Sequence, residues 1–438
     1  MAGRRKRRIP LSVFLNGRLV GTLRRESSGA TDFQYASPWL AWENAFPVSL
    51  SLPLREDRYI GAPAIAVFDN LLPDNDQIRR RLAARTRAEG IDAFSLLGAI
   101  GRDCVGALQF LPEGEEPEDV GKISGRALSD SEVSALIGDL TQAPLGVTSE
   151  SEFRISLAGA QEKTALLWWR DQWHIPHGST PTTHILKPEI GRLPNGLDLS
   201  DSVENEYLCL RLARAIGLPC ADGAILCFGD KRALVVERFD RRWARDGRLL
   251  RLPQEDCCQA LSVPPQQKYE PDGGPGIASL LDLLKASDDP QADQRAFLKS
   301  QIFFWLIGAT DGHAKNFSLH LLPGGRFRLA PLYDIMSAQP HVDAGRIRRN
   351  QCKLAMAVGK NRHYVIDGIS PRHFEQTAAL AGVGKAMVAE VLAEVAHSLP
   401  RAIDEIAAGL PAGFPGRLIE QLAAGARRRL RSMGSGET

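Results

Sequence analysis

The sequence predicts an α+β protein of two lobes, the first rich in strands and the second helical. Three observations predict it. Between residues 153 and 240, short apolar runs alternate with turn residues around a single helical stretch. Beyond residue 277, apolar residues recur at helical spacing in six segments. The chain has 438 residues, too many for one small core, so length implies two or three domains or lobes.

Taken in order, LSVFLNGRLVGTL (11–23) reads as a hairpin, because Asn16-Gly17 is a strong two-residue turn between alternating apolar runs. FQYASPWLAW (33–42) reads as a further strand or its end. Residues 66–100 read as helix, punctuated by Pro73, Asp74, Asn75 and Gly90. LPEGEEPEDVGKISGRALS (112–130) is rich in Gly, Pro and acids and reads as a surface loop. From 153 to 240 the pattern is strand, turn, strand, strand, helix (202–217), strand, strand. Helices are expected at 277–285, 292–309, 372–382, 384–397, 400–408 and 415–431. A hairpin with Gly324-Gly325 at its turn is expected between SLHLL (318–322) and RFRLAPLYD (326–334). LPQEDCCQ (252–259) is polar within an apolar neighbourhood, and the sequence gives Glu255 and Asp256 no role.

Composition narrows the classes. Hydrophobic content of 44% and charged content of 24% are ordinary for a soluble globular chain. A net charge of +2 does not imply a nucleic-acid binder, so only local clusters could meet phosphate. RRKRR (4–8) and ARRRLR (426–431) are such clusters, each read as a phosphate contact or a solvated terminus; GRIRRNQCK (345–353), with Lys360 and Arg362, is a third. Seven cysteines form no CxxC pair, and Cys257-Cys258 suits neither an ordinary disulfide nor a zinc knuckle. Reduced thiols, no secretory signal and no apolar run of membrane-spanning length make a cytoplasmic protein the expectation.

The chemistry concentrates in GATDGHAKNFSL (308–319), where an acid, a histidine, a lysine and an asparagine fall within six residues. Asp311 and Asn316 stand in the order D-x-x-x-x-N. Phosphoryl transfer can use that spacing for a carboxylate beside the attacking hydroxyl and an amide on the metal. Asp334, in LYD, could supply a metal carboxylate. Magnesium keeps several waters, so one Asp and one Asn beside ATP phosphates are sufficient protein ligands. Upstream, SLAGAQEK (156–163) is a small-residue turn whose backbone could approach a phosphate closely at Ala158, Gly159 and Ala160. Lys187, ending THILK, could neutralise phosphate oxygens, and Glu237, Arg238 and Phe239 end a strand where adenine could be held. His313 reads as a loop residue that shapes the site or touches phosphate; Lys315 either meets the phosphoryl group or faces solvent. A metal hydrolase using Asp311 and His313 lacks any HExxH or HxH partner motif, and a serine hydrolase lacks GxSxG.

The ordered set SLAGAQEKTAL, THILKP, ENEYLCLRLA, VVERFDR, LPQEDCCQALS, GATDGHAKNFS and APLYDI, with FDNLLPD (68–74), closely resembles the HipA family over almost the whole chain. The resemblance implies a divergent bilobal protein-kinase-like fold: an extra N-terminal subdomain (1–145), a β-rich N-lobe with the ATP loop (146–245) and an all-helical C-lobe with the catalytic loop (246–438). It implies a serine/threonine protein kinase that is the toxin of a type II toxin–antitoxin pair, with ATP and magnesium as cofactors. Asp311 matches the catalytic base, and Asn316 and Asp334 the magnesium ligands. Lys187 matches the phosphate lysine, Ala158, Gly159, Ala160, Gln161, Glu162 and Lys163 the ATP-covering loop, and Glu237 to Phe239 the adenine segment. His313, Lys315 and Tyr333 fall beside these as nucleotide-site residues. Ser156 matches the serine that the family autophosphorylates. The implied partners are a HipB-like antitoxin dimer, operator DNA through that complex, and an aminoacyl-tRNA synthetase, foremost glutamyl-tRNA synthetase, whose inactivation stalls translation and promotes persistence. Ala309-Thr310 before Asp311, and Ile335-Met336 after Asp334, depart from ordinary kinases but fit the HipA pattern. A chain that only clamps the antitoxin, and a small-molecule kinase, are the competing classes.

Overall fold

The computed structural model describes residues 9–26, 28–118, 120–147, 154–159, 161–193, 196–411 and 413–434. The RRKRR run and Ala160 lie outside them. The chain divides into two interleaved units: residues 1–188, 226–266 and 319–326 form one, and residues 189–225, 267–318 and 327–438 the other.

The first unit begins with the expected hairpin. Leu11–Leu15 pairs with Arg18–Arg25, and both turn residues are left-handed, Asn16 at φ 45° and Gly17 at φ 84°. The side chain of Asn16 also clasps the backbone of Arg251, donating to its carbonyl (2.8 Å) and accepting from its N–H (3.0 Å). A five-stranded antiparallel sheet results, ordered Tyr59–Ile60, Thr31–Tyr35, Arg18–Arg25, Leu11–Leu15, Leu108–Pro112. Helices Ala62–Asp69, Asp76–Thr86 and Ala93–Ile100 accompany it, with Phe68 tilted against Phe33 (5.3 Å) and edge-on to Phe110 (5.7 Å).

A second antiparallel array carries His184–Pro188 between Lys231–Glu237 and Thr164–Trp169, with Gln172–Pro176 and Gly125–Leu128 beyond. Two of these strands escape sequence reading. Gln172–Pro176 follows a two-residue turn of Arg170 (φ 51°) and Asp171 (φ 57°), a primed turn made without glycine or asparagine. Gly125–Leu128 lies inside the run expected to be loop, because an edge strand with two exposed residues needs no apolar alternation. The sheet face bearing Leu166, Leu186 and Val235 packs on Val133 and Ile137 of helix Asp130–Gly138.

A buried ion cluster holds this unit together. Asp103 accepts from Arg241 (2.9 Å), Arg251 (2.9 Å) and the Thr182 hydroxyl (2.7 Å), and pairs with Arg238 (3.4 Å). Asp240 accepts from Arg238 (2.8 Å) and from the Gly106 N–H (2.7 Å). Despite burial, which alone would raise it, the three guanidinium groups hold the Asp103 carboxyl well below the usual range. LPQEDCCQ gains its roles here too. Asp256 caps the short helix Cys257–Ala260 in a reciprocal capping box with Gln259, and buried Glu255 accepts the Leu50 N–H (2.8 Å), its carboxyl pushed up to about 8 by burial.

The second unit is organised on helix Pro290–Ile307, whose Phe297, Phe303 and Trp305 are buried. The helices expected at 384–397 and 400–408 are one, Lys385–Ala408, which continues through Pro400. A proline normally breaks a helix. Here Val391, Val395, Leu399, Ile403 and Ile406 keep one buried stripe across it. ARRRLR belongs to helix Gly416–Gly434: Arg427 and Arg431 are exposed, whereas Arg429 is buried and donates to the Leu306 carbonyl (2.9 Å). This unit also carries a short antiparallel pair, Lys353–Val358 with His363–Val365. In the neighbouring basic run, Arg346, Arg348 and Arg349 are exposed.

Asp103→Asn would leave three buried guanidinium groups facing one carboxylate. It is expected to cost about 3–5 kcal/mol of stability, read as a fall in denaturant midpoint.

Candidate active site

Helix Pro290–Ile307 stops at Gly308, which is left-handed at φ 72° and leaves the chain free to turn. The polar loop follows. Its organising atom is the carbonyl oxygen of Asp311, which accepts from the His313 N–H (2.9 Å) and from Asn316 Nδ2 (2.8 Å). Since the Asn316 amide donates inward, its Oδ1 is turned the other way, as a cation ligand needs. Residues 314–316 form one 3-10 turn, closed by Asn316 N–H to the His313 carbonyl (2.9 Å).

The loop has no room to relax. A Cβ on Gly312 would lie 2.5 Å from the ring of Phe304, so only glycine lets the loop lie on the helix. The Asp311 side chain is half-exposed, at 46% of its surface, while His313 is buried with Nε2 3.7 Å from Asp311 Oδ1. The Tyr269 hydroxyl donates to the same Oδ1, and its ring meets the His313 ring edge-on at 4.7 Å. Lys315 is buried, so the solvent-facing reading of it does not hold.

Asp334 is carried by the segment after Arg326–Leu329. It is left-handed at φ 59°, a conformation aspartate tolerates better than most residues and one that often marks functional positions. Its neighbours are pinned. Tyr333 shares a hydrogen bond with Ser318 (2.6 Å) and donates to the Lys315 carbonyl (3.1 Å), so it braces the loop by its hydroxyl. Asn205, in ENEYLCLRLA, donates to the Ser337 carbonyl (2.9 Å) and accepts from its N–H (2.8 Å). The helical pattern of that motif gives no hint that its asparagine fixes a distant loop.

The other candidate residues belong to the first unit. Lys187 and Lys163 are both buried. Gly159 is at φ 102°, and a Cβ there would meet the Lys163 ammonium at 2.7 Å, so the lysine lies over the bare glycine backbone. Gln161 donates to the Pro188 carbonyl (3.0 Å), and Glu162 pairs with Arg81 (2.7 Å). Ser156 is fully buried and donates to the Leu71 carbonyl (2.8 Å), while Asp74 N–H reaches the Gly159 carbonyl (3.1 Å). FDNLLPD is thus the seat of the Ala158–Gly159 turn.

Strand register separates the remaining three. Glu237 pairs with His184, whereas Lys187 pairs with Leu234, so the Glu237 and Lys187 side chains point to opposite sheet faces. Glu237 instead lines a cavity of about 230 Å³ with His184, Trp168 and Trp243. Burial lowers the His184 ring to about 4, so it is neutral at pH 7. The Arg238 guanidinium is committed to Asp240, Asp103 and Thr182, and its N–H to the Thr183 carbonyl (2.9 Å). The half-buried Phe239 that follows sets its ring edge-on to His320, 5.5 Å between centres.

Gly312→Ala is expected to lower stability by about 1–3 kcal/mol, the cost of overpacking against Phe304, read as a shift in thermal or denaturant midpoint.

Chemically, the second unit presents a carboxylate with one oriented oxygen, an amide oxygen and a second carboxylate; the first presents buried Lys163 over a close-approach turn and buried Lys187 on strand His184–Pro188. Among the described residues no cluster of three or more His, Cys, Asp or Glu could hold a metal, and no helix is long and apolar enough to cross a membrane. The comparisons agree with the motif set. The profile of the HipA-like C-terminal domain matches residues 155–403, and that of the HipA N-terminal domain residues 11–111. The Sinorhizobium fredii protein Y4mE is 34% identical over 400 residues, spanning 90% of this chain and 91% of that one. The serine/threonine-protein kinase toxin HipA of Shewanella oneidensis is 29% identical over 419 residues, 92% of this chain and 90% of its own. A chain in the solved Shewanella oneidensis complex of HipA, HipB and operator DNA superposes with a TM-score of 0.79 at 28% identity, covering 96% of this chain and 97% of that one. With a kinase-like α+β fold and domain profiles matched at both ends, the chain belongs to the HipA family.

Proposed function

We propose that this chain is an ATP- and magnesium-dependent serine/threonine protein kinase, the toxin of a type II toxin–antitoxin pair. The observation that carries the reading is the Asp311 loop. A half-exposed carboxylate sits on a turn locked by Asn316, with Asp334 in a left-handed position in the same unit. That is the set a phosphoryl transferase requires: a base for the acceptor hydroxyl and oxygen ligands for a metal.

The residues divide the work. Asp311 accepts the proton of the attacking serine or threonine hydroxyl. Asn316 Oδ1 and Asp334 would hold magnesium, which uses few protein ligands and oxygen donors. Bound magnesium–ATP would supply the phosphoryl group and offset the charge that develops during transfer. Lys187 and Lys163, both buried, would meet phosphate oxygens, and the Ala158–Gly159 turn suits close approach of backbone N–H groups. Cytoplasmic action on an aminoacyl-tRNA synthetase, foremost glutamyl-tRNA synthetase, belongs to the same proposal, with arrested translation and persistence as the outcome. So does assembly with a HipB-like antitoxin dimer on operator DNA, supported by the complex in which the solved relative was found.

Ser156 is proposed as the self-phosphorylation site. Its buried hydroxyl, bonded to Leu71, cannot meet a phosphoryl donor in this conformation. Modification requires residues 155–159 to leave their seat. The phosphate, at about −1.5 to −2 charge, would then oppose their return to a buried seat and so hold the enzyme inactive.

Mass spectrometry after incubation with magnesium–ATP is the test. The expected result is one phosphate on Ser156 in the wild type and none in Asp311→Ala. Absence from both folded proteins, with antitoxin and operator binding intact, would favour a clamp without turnover.

A further inference from the structure

Tyr269 is absent from every motif that led to the site, yet its hydroxyl is bonded to the proposed base. We infer that Tyr269 is a positioning residue for Asp311: it fixes Oδ1 and so leaves Oδ2 for the acceptor hydroxyl. The inference rests on the kinase reading for its functional meaning, but the contact itself does not.

The chemistry sets the direction of the bond. A phenol keeps its proton at neutral pH, so Tyr269 is the donor and the carboxylate the acceptor. A hydrogen bond to the charged form favours that form. The bond also removes one of the two oxygens from competition, so that a half-exposed side chain presents one basic oxygen instead of rotating freely.

The mount decides between a positioning residue and a movable stopper in the acceptor's place. The Tyr269 carbonyl accepts from Asp272 (3.1 Å) and Gly274 (3.0 Å) N–H groups. At Gly274 a Cβ would lie 2.0 Å from the Gln267 carbonyl oxygen and 2.7 Å from that of Tyr269, so the turn closes only with glycine. The next residue, Glu270, accepts the Ala357 N–H and pairs with Arg362 (3.2 Å). A side chain leaving a turn closed on itself at Gly274 and tied through Glu270 to strand Lys353–Val358 and its hairpin is held in place, not poised to swing.

Beside this pair stand His313, whose Nε2 is 3.7 Å from Oδ1, and Lys268, whose Nζ lies 5.5 Å from the Tyr269 ring centre. Tyr269→Phe keeps the ring against His313 and removes only the donor.

The experiment compares wild type, Tyr269→Phe and Asp311→Ala in full-length protein, by two readouts. In steady-state transfer to a serine acceptor, Tyr269→Phe should lose about tenfold in kcat with KM for ATP unchanged. Independently of turnover, carbon-13 carboxyl NMR at one fixed neutral pH, with Asp311→Ala as the assignment control, should show the Asp311 resonance displaced in Tyr269→Phe, as loss of its donor requires. An unmoved Asp311 resonance overturns the inference whether or not the wild type transfers phosphate. So does a rise in kcat, which would make the hydroxyl a stopper, or phosphate on Tyr269, which would make it an acceptor. An inactive wild type with a displaced resonance overturns the kinase reading alone.

Discussion

Asp103 is the charge around which the first unit is built. Its carboxylate gathers guanidinium groups from Arg238, Arg241 and Arg251, all three buried, and reaches the Thr182 hydroxyl besides. Removing three cations from water is costly unless each finds an anion and enough hydrogen bonds. Asp240 and the carbonyls of Cys104 and Gly106 complete the set. The consequence reaches the candidate nucleotide loop. Asp103–Cys104 runs parallel to Ile155–Ser156, so the cluster fixes the strand on which Ser156 lies. Where Ser156 goes, the Leu157–Gly159 turn follows.

The second unit relies on a smaller device of the same kind. One carbonyl, that of Asp311, receives two donors, and one of them is the Asn316 side chain. The spacing of five residues is therefore structural as well as chemical: it is the reach of an amide back across a single 3-10 turn. Gly308 lets the helix end, Gly312 lets the loop lie on Phe304, and Tyr333 ties Lys315 to the segment that carries Asp334. Tyr269 and His313 then meet the side chain those constraints present.

Much of this is legible in the sequence, for identifiable reasons. The Asn16-Gly17 hairpin and the long helices follow from strong local signals, and the order of small-residue turn, lysine, D-x-x-x-x-N and aspartate points to phosphoryl transfer before any geometry. The rest depends on partners far apart in the chain. Nothing local in LPQEDCCQ says that Glu255 meets Leu50, and an asparagine in a helical pattern does not announce that it holds Ser337. The turn at Arg170-Asp171 is hidden because its residues are not the usual left-handed ones. Pro400 hides the continuity of its helix because the stripe that sustains it is tertiary. Tyr269 is hidden for the same reason, being 42 positions from the carboxylate it serves. Register, not composition, shows that Glu237 and Lys187 point apart.

The central claim is that Asp311 serves transfer of phosphate from ATP to a protein hydroxyl. Its most direct test is to incubate the protein with γ-labelled ATP, magnesium and a bacterial protein extract, beside an Asp311→Ala control verified to be folded. The account predicts label on seryl or threonyl residues of an extract protein with the wild type and none with the variant. Equal labelling by both, or none by a folded wild type under conditions where it binds ATP, would contradict it.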